Sequence, residues 1–83
     1  MSEDPAERTR MYLMKIQEYL QQSEASQNEG LQRLGEYARR YVIDAEYFLE
    51  AGKPTTALAS VAYAEGLLDS LRILGLLEKK SPS

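Results

Sequence analysis

Apolar residues in this chain recur at alternating steps of three and four, in three separate runs parted by two short breaks. That spacing is the period of an α-helix, where residues three and four apart share a face. No segment alternates with period two, so no strand is expected. Each run covers roughly twenty residues, or ~30 Å at ~1.5 Å per residue. Short connections between runs of matched length force each helix to reverse on the one before it. The predicted fold class is therefore all-α: an antiparallel up-and-down three-helix bundle in one domain spanning 1–83. The helices are expected at about 5–23, 27–51 and 54–75, with a disordered tail at 78–83.

Local chemistry sets the ends. Asp4-Pro5-Ala6-Glu7 joins an N-cap residue, a proline at the first helical position and a glutamate in the first turn. Leu13, Ile16 and Leu20 then form an inward face flanked by Tyr12 and Tyr19, with Met11 and Met14 expected to fill gaps at its margin. The polar segment Ser23 to Gly30 reads as a loop, and Ser26-Gln27-Asn28-Glu29 as a capping box opening the second helix. Leu31, Leu34, Ala38, Tyr41, Ala45 and Phe48 make the inward seam of that helix, widened by Val42 and Leu49. Glu29–Arg33 and Glu36–Arg40 are expected as i,i+4 ion pairs on its outer face. Gly52 supplies a left-handed closing residue and Pro54 prevents continuation, so this boundary is sharp.

The third run differs in kind. Ala57, Val61, Ala64, Leu68 and Leu71 mark one face, yet Leu58, Ala59, Ala62, Leu67, Ile73 and Leu74 spread apolar groups over the others. A helix apolar nearly all round is expected to be covered by more than one neighbour. Gly75 is the expected C-cap residue, with Leu76 making the hydrophobic contact that accompanies it.

Several classes of chemistry lack their residues. The chain has no Cys, His or Trp, which removes disulfides, thiolate and imidazole metal sites and every Cys–His or Ser–His arrangement. No phosphate-cradling glycine loop or nucleophile elbow occurs. A net charge of −3 argues against nucleic acid, whose phosphates need a basic face. The first ten residues are too polar for a secretory signal, and the longest uncharged run, Pro54 to Ala64, is far short of the ~20 apolar residues of a membrane span. A soluble cytoplasmic protein with no cofactor and no catalytic activity is the expectation.

Two groups of residues could still act. Glu65, Asp69 and Arg72 follow at steps of four and three along the third helix. They read either as a carboxylate site for a divalent cation or as an Asp69–Arg72 ion pair in which Asp69 can also accept a hydrogen bond from a tyrosine hydroxyl of helix two; the ion pair is favoured, because two carboxylates alone hold a cation weakly. Tyr37, Tyr41, Tyr47 and Tyr63 could stack on nucleobases beside Arg39 and Arg40, but Glu36 and Asp44 sit next to that patch, and tyrosines at the rim of a core account for the pattern better. Gly66 lies within helix three beside Ala59, Ala62 and Ser70. A glycine inside a helix costs ~1 kcal/mol against alanine and marks close approach by a neighbour. Tyr63, Gly66, Asp69 and Arg72 are thus the candidate interaction or ligand groove.

The blocks Tyr41…Asp44-Ala45…Tyr47-Phe48-Leu49…Gly52 and Tyr63-Ala64…Gly66…Leu68-Asp69…Leu74-Gly75 resemble the short archaeal proteins of the family catalogued as domain of unknown function 357. The resemblance covers residues 37 to 75 and implies an archaeal source and a three-helix bundle, with no assigned activity. The GKPTTALASVAYAEGLL text is also similar to a tetratricopeptide hairpin, but a solenoid needs several such units and one is present. It is similar as well to helical domains that accompany minimal nucleotidyltransferases, whose Arg…His ribonuclease motif this histidine-free chain cannot supply. The functional expectation is an interaction or structural module that self-associates as a homodimer or binds another protein. The alternatives are an accessory domain holding a nucleotide or small ligand in the helix-three groove and, third, a weak carboxylate–metal enzyme.

Overall fold

A computed structural model describes residues 3–78. Three helices, α1 (Pro5–Ala25), α2 (Glu29–Glu50) and α3 (Pro54–Ile73), follow one another through three-residue connections. Each helix packs on both others, and the bundle measures 37 × 25 × 15 Å along its principal axes. The pairs Glu24–Arg39, Tyr41–Tyr63 and Lys15–Glu65 fix the directions: α2 runs against α1 and α3, which run with each other. The structure is an all-α bundle.

The caps refine the helix ends. Asp4 accepts a hydrogen bond from the Ala6 N–H at 3.0 Å ahead of Pro5, closing the start of α1. The segment read as a loop from Ser23 is helical through Ala25. Asn28, rather than Ser26, caps α2 by accepting from the Leu31 N–H at 3.1 Å, while Ser26 Oγ accepts from the Asn28 N–H within the turn. At the other end of α2, Gly52 has φ +74°, and the Lys53 N–H donates to the Phe48 carbonyl at 2.8 Å in a Schellman closure. The same closure ends α3, where Gly75 has φ +82° and the Leu76 N–H donates to the Leu71 carbonyl at 2.9 Å. Leu76 itself points outward, and Leu77 is the residue that turns back into the core.

Ile16, Tyr19 and Leu20 of α1, Ala38, Val42 and Ala45 of α2, and Ala57, Val61, Ala64, Leu68 and Leu71 of α3 make the core, closed at one end by Leu77. Alanines at the α2–α3 contact let the two backbones approach, and the larger leucines and isoleucine fill the remaining volume. Val42 lies at the centre of the α2 seam, while Tyr41 is half-buried at its rim. Met11 and Met14, expected to fill gaps, are exposed; Met14 retains 78 % of its surface. Their positions on α1 fall outside the arc that two neighbours can cover. For the same geometric reason α3, although it packs on both α1 and α2, keeps Ala59, Ile73 and Leu74 in solvent.

One close approach organises the α1–α2 corner. A Cβ on Gly35 would meet Ser23 Oγ at 2.6 Å and Ser23 Cβ at 2.9 Å, so only glycine fits there. Ser23 is fully buried and its hydroxyl donates to the Leu31 carbonyl. Beside it Glu24 receives Arg39 in a two-pronged ion pair, Nε and Nη2 each 2.6 Å from a carboxylate oxygen. Gly66, where close approach was expected, has nothing within 4 Å of its added Cβ. The packing glycine inside a helix is Gly35.

Candidate functional site

Successive steps of three along a helix each fall about 60° short of a full turn. Tyr63, Gly66, Asp69 and Arg72 therefore do not share a groove; they wind across the outer side of α3. Tyr63, at one edge, stacks on Tyr41 of α2 with ring centroids 4.6 Å apart. Gly66 sits at the crest, exposed. Asp69 and Arg72 reach the edge nearest α1, on the flank where Glu65 meets Lys15 of that helix at 3.4 Å.

On that edge the polar groups engage one another. Arg72 Nε donates to Asp69 Oδ1 at 2.7 Å, the ion pair that the spacing favoured. The hydrogen bond and charge of Asp69 raise the Arg72 pKa above its ordinary value. Glu65 is drawn to Lys15 rather than held ready for a cation, and among the described residues no group of three or more carboxylates could hold a metal ion. Surface depressions lie on other faces: one along α2 beside Arg33, Leu34, Tyr37 and Arg40, another on α1 beside Arg8, Met11, Tyr12 and Lys15. These two are each walled by one helix, which makes a shallow dish and not an enclosing pocket; a third, wider depression lies between Arg10 of α1 and Ile43, Glu46, Tyr47 and Glu50 of α2.

The tyrosines converge more than their spacing suggests. Tyr37 and Tyr41 meet edge to face at 5.5 Å, their hydroxyl oxygens 3.3 Å apart, and Tyr63 completes the trio from α3. Hydrogen bonds from Tyr41 and then Tyr63 lower the Tyr37 pKa, with a smaller push from Arg40, while the bond to Tyr37 raises the other two. Arg39 belongs to the Glu24 pair on the far side of α2, so it adds nothing to this cluster. Neither Glu29–Arg33 nor Glu36–Arg40 closes to ion-pair distance; among the described residues the ion pairs are Lys15–Glu65, Glu24–Arg39 and Asp69–Arg72.

An uncovered apolar surface lies where α3 ends. Ile73 and Leu74 each retain 70 % of their surface and Leu76 retains 51 %. Three large aliphatic side chains within four residues make an apolar tip, with Ile73 two turns beyond Gly66 on the same side of the helix. Sequence reasoning placed these residues against neighbours, because periodicity counts apolar positions without knowing how many neighbours a three-helix bundle can offer.

Residues 6–77 match the family described as protein of unknown function (DUF357). The chain belongs to that family. The match takes in all three helices and reaches the buried Leu77, a wider span than the resemblance between residues 37 and 75. No curated protein and no solved structure matches the chain. No helix among the described residues is long and apolar enough to cross a membrane.

Proposed function

We propose that this DUF357 protein is a non-catalytic helical interaction module that associates with a second copy of itself through the C-terminal end of α3. The observation that carries this reading is the exposed aliphatic tip of Ile73, Leu74 and Leu76. Scattered exposed apolar residues are ordinary on a protein surface, but a contiguous patch is a feature of interaction sites. Gly66, about two turns upstream on the same side, adds a second argument. An exposed helix-interior glycine costs ~1 kcal/mol against alanine, and none of the described residues approaches it closely enough to require it. A neighbouring chain would make use of the space.

Light scattering from micromolar to millimolar concentration tests the proposal. A mass that rises from 9.4 kDa toward twice that value, and that falls back in an Ile73→Ser/Leu74→Ser variant, is the expected result. A single-chain mass throughout, with wild type and variant alike, refutes it.

A further inference from the structure

Beyond Gly75 the chain folds back and is held in an unusual way. Leu77 is 5 % exposed and belongs to the core, whereas Leu76 beside it stands in solvent. The main chain of Glu78 is clasped by the side-chain amide of Gln22 on α1: Gln22 Nε2 donates to the Glu78 carbonyl at 2.6 Å, and the Glu78 N–H donates to Gln22 Oε1 at 2.8 Å. Both main-chain groups of one residue are read by a single amide while the preceding side chain fills an apolar pocket. Peptide-binding grooves hold extended ligands in this manner, with main-chain bonds giving affinity and one pocket giving selectivity. The end of the bundle thus holds the chain's own Leu77–Glu78 by one buried side chain and two main-chain hydrogen bonds.

We propose that Leu77–Glu78 is a latch that two copies of the chain exchange, each placing its leucine in the other's pocket and its Glu78 main chain on the other's Gln22. This rests on the self-association reading and supplies its contact. A second copy is the fitting partner because it presents the same pocket, amide and leucine, the condition for a closed two-fold exchange. Glu78 lies three steps along the chain from Gly75, a reach of about 10 Å. The two α3 ends must then face each other closely, which covers Ile73, Leu74 and Leu76. The hinge is the one point at which the closed and exchanged forms differ, and glycine makes its closed geometry free of steric cost. The closed chain needs left-handed backbone at Gly75, φ +82°, and a chain that continues outward into a partner does not.

Latch contacts exist in both the closed and the exchanged forms, so they cancel in the association equilibrium; the hinge does not. Gly75→Ala penalises the closed form and is expected to tighten association about fivefold or more. Leu77→Ala is expected to lower the melting temperature while changing the association constant by less than about twofold, because its contact is lost from both forms. Isotope-filtered NMR on a 1:1 mixture of differently labelled wild-type chains reads the exchange directly. Contacts between Gln22 side-chain protons of one label and the Glu78 amide of the other are expected. A dimer showing these contacts only within one label overturns the exchange and leaves self-association standing. A single-chain mass at millimolar concentration overturns both. A Gly75→Ala variant that associates no more tightly than wild type also counts against the latch.

Discussion

Adding one methyl group should stabilise this protein at one glycine and destabilise it at another, both inside helices. Gly66→Ala places the new Cβ in open space, with nothing within 4 Å, at ordinary helical backbone. The gain is the helix-propensity difference of ~1 kcal/mol. Gly35→Ala earns the same propensity but drives its Cβ to 2.6 Å from Ser23 Oγ and 2.9 Å from Ser23 Cβ. Ser23 cannot swing aside freely, since it is fully buried and its hydroxyl is bonded to the Leu31 carbonyl. Overpacking costs roughly 1–3 kcal/mol, and a buried hydroxyl stripped of its partner costs about 1–3 kcal/mol more. Subtracting the propensity gain leaves a net loss of about 3 kcal/mol, a large share of the ~5–15 kcal/mol that holds a domain together. At roughly 4–8 °C per kcal/mol for a domain of this size, Gly35→Ala should melt on the order of 10–20 °C lower. Gly66→Ala should melt several degrees higher. Circular-dichroism melts at low micromolar concentration provide the assay. Ser23→Gly in the Gly35→Ala background removes the atoms in conflict and should recover most of the loss. The reasoning fails if Gly35→Ala stabilises as Gly66→Ala does, or if Ser23→Gly gives no recovery.

Other outcomes follow from the same contacts. Leu68 is fully buried, and Leu68→Ala should cost ~2–5 kcal/mol in urea denaturation. Glu24 has its pKa lowered from the ordinary value of 4.5 by the Arg39 hydrogen bond. The pair's contribution is therefore present above that value and lost as the pH falls through the lowered one. With both side chains about a third exposed, that contribution is no more than ~1 kcal/mol, and Glu24→Gln should flatten the acid limb of the stability–pH profile by that amount. The three tyrosines should ionise as a coupled set, Tyr37 first, because its phenolate is the one that accepts hydrogen bonds. Tyr37→Phe should abolish the earliest phenolate step in an ultraviolet titration and return Tyr41 and Tyr63 toward ordinary values. Finally, a thermal-shift screen of nucleotides and divalent cations tests the ligand-binding alternative: Asp69 pairs with Arg72 and Glu65 with Lys15, so no rise in melting temperature is expected at millimolar ligand.

Much of the architecture was legible because it depends on near neighbours in the chain. Asp4 with Pro5, and Gly52 with Pro54, act within one turn, and a capping residue needs no tertiary partner to be recognised. The buried face of α3 was equally plain, since Ala57, Val61, Ala64, Leu68 and Leu71 are all buried as their spacing required. The α1–α2 corner was harder to read. Ser23 and Glu24 look like loop residues by composition, and only the approach of Gly35 and Arg39 from another helix gives them a reason to be helical and enclosed. Leu77 was obscured in the same way: nothing in the tail's charged text shows that Gln22, far back in the chain, will take hold of the backbone of Glu78.

By itself the sequence determined three helices, their order and the stop between the second and third, because helical period and capping are short-range physics. It also determined which catalytic and metal chemistries the chain cannot perform with its own side chains, since no His or Cys is present. Only the tertiary structure decided which apolar residues find cover. Two neighbours cannot enclose a helix's whole circumference, so α3 keeps Gly66 on an open crest and ends in a bare aliphatic tip. Periodicity cannot count neighbours. That distinction moved the candidate surface from a groove through Gly66, Asp69 and Arg72 to the end of α3, where Leu77 is already seated and Ile73, Leu74 and Leu76 are uncovered.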